Sequence, residues 1–100
     1  MKDFVERLAR LEGVKLYTAK RGIPFKVVIT DINVRAAAWE AEEGDNPRTA
    51  YPLDTLERIC DYYITGGALT PEALSAAEIY KRKKGYSYLP AIVRAIVDGP

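Results

Sequence analysis

The run Phe25-Lys26-Val27-Val28-Ile29-Thr30 constrains this chain more than any other stretch. It is rich in β-branched residues, and alternation puts Phe25, Val27 and Ile29 on one face of a strand. Pro24 suits the first position, where a missing N–H costs no ladder bond. A strand needs partners, because even a single hairpin is marginal in water. Upstream, Val14, Leu16 and Thr18 alternate with Lys15 and Tyr17, and Lys20-Arg21-Gly22 supplies a turn. Downstream, Asp31-Ile32-Asn33 turns the chain tightly into residues 34–41, where two readings compete. The alanines, Trp39 and Glu40 favour a helix capped by Asn33 and Gly44. A tight turn after a strong strand favours a hairpin, and Glu40, Glu42 and Glu43 would sit at the negative end of a helix dipole. The strand reading is adopted. Glu42 to Pro47 then forms a polar turn and Arg48 to Tyr51 a short returning strand, giving a three- to four-stranded antiparallel meander over residues 14–53.

The remaining segments read as helices. Asp3 to Glu12 carries Asp3 and Glu6 in capping-box positions, with Phe4, Val5, Leu8 and Leu11 on one face, Glu6, Arg7 and Arg10 facing water, and Gly13 at the end. Pro52 closes the sheet. Asp54 and Glu57 form a second capping box before Leu56, Ile59, Cys60 and Tyr63 at helical spacing, until Gly66-Gly67 stops the helix. Thr70 is an N-cap followed by Pro71, and that helix is expected to run through Leu74, Ala77 and Tyr80 to Gly85. Ser87 would cap a last helix with Pro90 in its first turn and a stripe of Leu89, Ile92, Val93, Ile96 and Val97, packed against the helix from Asp54. The expectation is one α+β domain over residues 1–100: a short N-terminal helix (1–13), the meander (14–53), and three C-terminal helices (54–99) packed together and against the sheet.

Composition narrows the function classes. With 100 residues and 48% hydrophobic content, the chain can bury a core. Its halves are each nearly neutral, nine cations to eight anions and then six to six, so only a local patch can attract a polyanion. The single Cys60 makes no intrachain disulfide, which fits a reducing, cytoplasmic setting. Charges in the first eight residues are unlike a signal peptide, and no apolar run is long enough for a membrane span. There is no histidine, no metal-binding spacing, no phosphate loop and no nucleophile with a base. Hence no cofactor, no metal and no catalytic residue is assigned, and a non-enzymatic module is expected.

The compact charge feature is Tyr80-Lys81-Arg82-Lys83-Lys84-Gly85-Tyr86-Ser87-Tyr88. Cations displace counterions from phosphates, and tyrosines stack on bases or hydrogen-bond to a backbone. A plainer reading has the cations satisfying a helix C-terminus while the tyrosines anchor a turn. Residues 70–97 also follow the order of a helix-turn-helix unit, although Arg94 is the one strong base-reading side chain on the second helix. Lys15, Lys20, Arg21 and Lys26 would extend the patch if the first hairpin folds near Lys81. The acidic residues Glu40, Glu42, Glu43 and Asp45 lack EF-hand spacing and read as a solvated loop. Trp39 is either sheet packing, the preferred reading, or an interface anchor. The meander, the Gly66-Gly67 break and the Thr70-Pro71 start resemble accessory modules of bacterial and phage DNA-processing proteins, a likeness of spacing that assigns no residue. The expectation is therefore DNA or RNA contact through Lys81, Arg82, Lys83 and Lys84, supported by Tyr86 and Tyr88. The alternative is a protein partner or a homodimer, using the sheet face or a strand edge near Trp39.

Overall fold

The computed structural model describes residues 1–42, 49–82 and 85–99. Its elements are α1 (Phe4–Ala9), β1 (Leu16–Tyr17), β2 (Pro24–Ile29), β3 (Asn33–Ala38), β4 (Thr49–Pro52), α2 (Leu53–Ile64), α3 (Pro71–Ala76) and α4 (Leu89–Asp98). The strands form one antiparallel sheet in the order β1-β2-β3-β4, an α+β arrangement with helices at both ends of the chain.

Residues 34–38 are strand despite their alanines, and the turn before them shows why. Thr30 N–H donates to the Asn33 carbonyl at 2.9 Å, while Thr30 Oγ1 accepts from Asn33 N–H at 3.0 Å and donates to Asn33 Oδ1 at 2.7 Å. That network starts the register Ile29↔Val34 through Phe25↔Ala38. A helix there would leave β2 without this partner. The polar turn expected at 42–47 falls almost wholly on residues 43–48, which lie outside the described residues, as does Arg48.

One sheet face buries Leu16, Phe25, Val27, Val34, Ala36 and Tyr51 against Leu56, Ile59 and Cys60 of α2 and Leu89, Ile92, Val93 and Ile96 of α4. Complete burial of a large aliphatic side chain contributes about 1.5–3 kcal/mol, so the α4 stripe is a principal stabilising element. α4 packs on α2, α1 and β1.

Several local expectations are corrected. Neither capping box forms. Asp3 has φ −117°, ψ 31° and makes no side-chain cap, and Pro52 occupies the N-cap of α2, leaving Asp54 to accept from the next N–H, that of Thr55, at 2.9 Å. Val5 points outward, 76% exposed. Arg7 does not face water, because its guanidinium donates to the carbonyls of Val97 at 2.7 Å and Ile96 at 3.4 Å. α4 has no basic residue in its last turn, so Arg7 serves its terminal carbonyls from another helix. Tyr88, not Ser87, precedes α4.

The largest correction concerns α3. Thr70 caps it as expected, accepting from Ala73 N–H at 3.2 Å with Pro71 at the first position. The helix nevertheless ends at Ala76 rather than Gly85. Glu78 adopts φ 58°, and N–H groups of Glu78 and Ile79 donate to the carbonyls of Ser75 (3.0 Å) and Leu74 (3.1 Å). This is the Schellman closure, with glutamate at the left-handed position usually held by glycine. Glu78→Gly is therefore expected to stabilise the protein by about 0.5–1 kcal/mol, since the exposed ion pair it loses to Lys81 is worth little. Thermal unfolding checks this; an unchanged or lower Tm contradicts it.

Candidate nucleic-acid interface

Because α3 stops at Ala76, Lys81 and Arg82 do not sit on a helix end. Residues 80–82 and 85–88 instead lie as a belt along one rim of the sheet, held by their aromatic residues. Tyr80 is buried, its ring 6.1 Å from that of Tyr51 and 5.3 Å, edge-on, from that of Tyr86. Tyr86 O–H donates to the Tyr80 carbonyl at 3.3 Å, and the half-buried Tyr88 sets its ring edge-on to Phe25 at 5.0 Å. Tyr51 O–H donates to the Gly85 carbonyl. Tyr86 and Tyr88, expected to support nucleic-acid contact, have both rings packed against the core.

Electrostatics agree with that packing. Burial is the main cause that pushes the Tyr51 hydroxyl far above its ordinary range, with Tyr80 and Tyr88 adding to it. Burial also raises Tyr80, against the opposing pull of Arg82, and raises Tyr86. These phenols are neutral anchors at physiological pH.

Lys81 and Arg82 are exposed. Lys81 Nζ lies 3.6 Å from Glu78 Oε1, between side chains 64% and 79% exposed, a pair too solvated to hold the lysine firmly. Arg82 donates to the Ala50 carbonyl at 3.2 Å, on the edge strand β4. Lys83 and Lys84 lie outside the described residues.

At the far end of the belt, Ala19 N–H donates to the Ser87 carbonyl at 3.3 Å. Ala19 belongs to the β1–β2 turn, which Thr18 closes by accepting from Ile23 N–H at 3.0 Å on its hydroxyl and from Gly22 N–H at 3.0 Å on its carbonyl. The exposed Lys20 and Arg21 at its tip therefore share a rim with Lys81 and Arg82. Five peptide steps from Arg82 to Ser87 span at most about 18 Å.

Trp39 is not in the core. It follows β3 with the outward parity, is half-buried, and carries Lys15 Nζ 5.3 Å from its ring centroid. The outward side of the sheet holds rows that the register defines: Tyr17 beside Pro24, Lys15 next to Leu16 at the level of Lys26 and Ala37, and Val28 beside Arg35 and Ala50. Lys26 Nζ donates to the Ala41 carbonyl at 2.6 Å, and Arg35 Nε to Asn33 Oδ1 at 3.3 Å. The sequence reading missed Arg35, although its alternation with the buried Val34 and Ala36 signalled an outward cation.

Cys60 is completely buried, and burial pushes its thiol up to about 12. Among the described residues there is no group of three or more His, Cys, Asp or Glu placed to hold a metal ion, and no helix long and apolar enough to cross a membrane. Of the acidic loop, Glu40 and Glu42 are exposed, and Glu43 and Asp45 are outside the described residues. No protein family matches the chain, and no curated protein or solved structure is measurably similar to it.

Proposed function

We propose that this protein is a small non-enzymatic module that binds nucleic acid by its phosphate backbone, through Lys81, Arg82, Lys83 and Lys84 together with Lys20 and Arg21. One observation supports the reading: the Ala19–Ser87 hydrogen bond ties the turn that carries Lys20 and Arg21 to the segment that follows Lys81 and Arg82. A helix dipole does not account for Lys81 and Arg82, because α3 ends at Ala76, five residues before Lys81. Phosphate contacts of this kind confer affinity and little sequence preference. A cytoplasmic setting, where Cys60 stays reduced, belongs to the same reading.

Anisotropy titration of labelled DNA and RNA across salt concentrations tests it. The native chain should bind with a log-log salt slope of about −3 to −4 if four phosphates of a duplex are neutralised. Changing Lys81, Arg82, Lys83 and Lys84 all to glutamine should abolish binding while leaving circular dichroism unchanged. Absence of binding by the native chain at low salt would sink the proposal and direct attention to a protein partner.

A further inference from the structure

We infer that the open face of the sheet is a stacking platform for single-stranded nucleic acid, with bases over Tyr17, Pro24 and Trp39 and phosphates on Lys15, Lys26 and the Lys20-Arg21 turn. The inference rests on the nucleic-acid reading above and adds the form of ligand. Helices pack on the opposite face, where Phe25, Val27, Val34 and Tyr51 are buried. On the open side Tyr17 is 54% exposed and Val28 43% exposed, and Trp39 is half-buried.

Charge selects the occupant. The outward positions within the four strands hold Lys26 and Arg35 and, among the described residues, neither aspartate nor glutamate, with Lys15 just ahead of β1; the exposed Asp31, Glu40 and Glu42 lie beyond the strand ends. A second copy stacked face to face would bring the same cations together. An acidic polymer suits them, and the aromatic row specifies one with flat apolar units. Tyr17 and Trp39 flank the Pro24 strand, two strand spacings or about 10 Å apart, which is room for bases to lie between and over them. The row runs between Lys15 and Lys26 on one side and the Lys20-Arg21 turn on the other, so a strand lying along it has cations on both flanks. In the free protein Lys15 rests over the Trp39 ring, an exposed contact weak enough for a stacking base to replace. Duplex bases are already stacked and cannot use this row, so the platform favours single strands.

Trp39 is the one tryptophan, so its emission reports directly on the row. The full chain is titrated with a 20-nucleotide oligothymidine, with a 20-base-pair duplex, and with inorganic polyphosphate as a charge-only probe. Oligothymidine should quench Trp39 emission by about half or more, and polyphosphate should bind without quenching. Tyr17→Ala, at an exposed position that leaves the fold intact, should weaken oligothymidine binding about 5- to 100-fold and leave polyphosphate binding unchanged. Oligothymidine binding without quenching, equal in Tyr17→Ala, overturns the platform while the rim reading stands. Failure of every polyanion to bind at low salt overturns the rim reading, and the platform with it. Self-association in sedimentation that Tyr17→Ala abolishes assigns the face to a second copy and also overturns the platform.

Discussion

Gly85→Ala is expected to destabilise the protein by about 2–4 kcal/mol, lowering Tm by more than about 10 °C. Two effects add at this position. Gly85 has φ 94°, a conformation costly for any residue with a Cβ. A Cβ there would also lie 2.9 Å from Tyr51 Oη, 3.0 Å from Thr49 Cγ2 and 3.1 Å from Tyr51 Cε1. Tyr51 cannot swing away, because it is fully buried and its hydroxyl is committed to the Gly85 carbonyl. Gly66→Ala separates the two effects: its φ is 93°, yet nothing lies within 4 Å of its added Cβ, so only about 1–2 kcal/mol is expected. Equal losses at the two positions in urea titrations would show that crowding against Tyr51 is unimportant. A double-mutant cycle sharpens the test. Tyr51→Phe alone should cost about 1 kcal/mol by stranding the Gly85 carbonyl, and should cost less in the Gly85→Ala background, where it also removes the nearest clash.

The second large effect is alkaline. Burial raises Cys60 from 9.0 to about 12, with Asp61 and Glu57 contributing, and raises Tyr51 well above 10. In both groups the folded state holds its proton to a higher pH than the unfolded chain. Their contribution is therefore complete below pH 9 and is lost as pH rises toward the folded-state values. Cys60 alone corresponds to a loss on the order of 4 kcal/mol by pH 12, and Tyr51 adds to it above pH 10. Urea unfolding at pH 7, 9, 10 and 11, followed by Trp39 emission and circular dichroism, should show midpoints falling steadily above pH 9. Cys60→Ala should shrink the decline between pH 9 and 10. Midpoints independent of pH up to 11 would contradict the buried, protonated state of both groups. The same burial makes Cys60 inert to thiol reagents at pH 8 until denaturant is added.

The sheet was legible because its signals are local. β2 announced itself by composition, and the Thr30–Asn33 turn decided the alanine-rich stretch against its own helix propensity. The end of α3 was not legible. Glutamate is a rare choice for the left-handed closing position, and what fixes Tyr80 in place is a ring from β4, remote in sequence. Arg7 shows the same limit, since its partners are carbonyls at the other end of the chain. The Asp-x-x-Glu pattern misled twice, because a capping box also requires an extended N-cap that is free to be the N-cap. Asp3 lacks that geometry, and Pro52 takes the position ahead of Asp54. For the candidate site, the cations were plain in the sequence. The separation of Lys81 and Arg82 from a helix end, and their meeting with Lys20 and Arg21, depended on long-range contacts.

Those contacts set an order of assembly. The β2–β3 hairpin closes over a few residues, whereas the bond from Tyr51 to Gly85 spans 34 residues and that from Ala19 to Ser87 about two thirds of the chain. Closing such loops costs entropy before any contact is gained, so the belt should dock late in folding. A polyanion held by both Lys20-Arg21 and Lys81-Arg82 would thus recognise the finished fold and shift the folding equilibrium toward it.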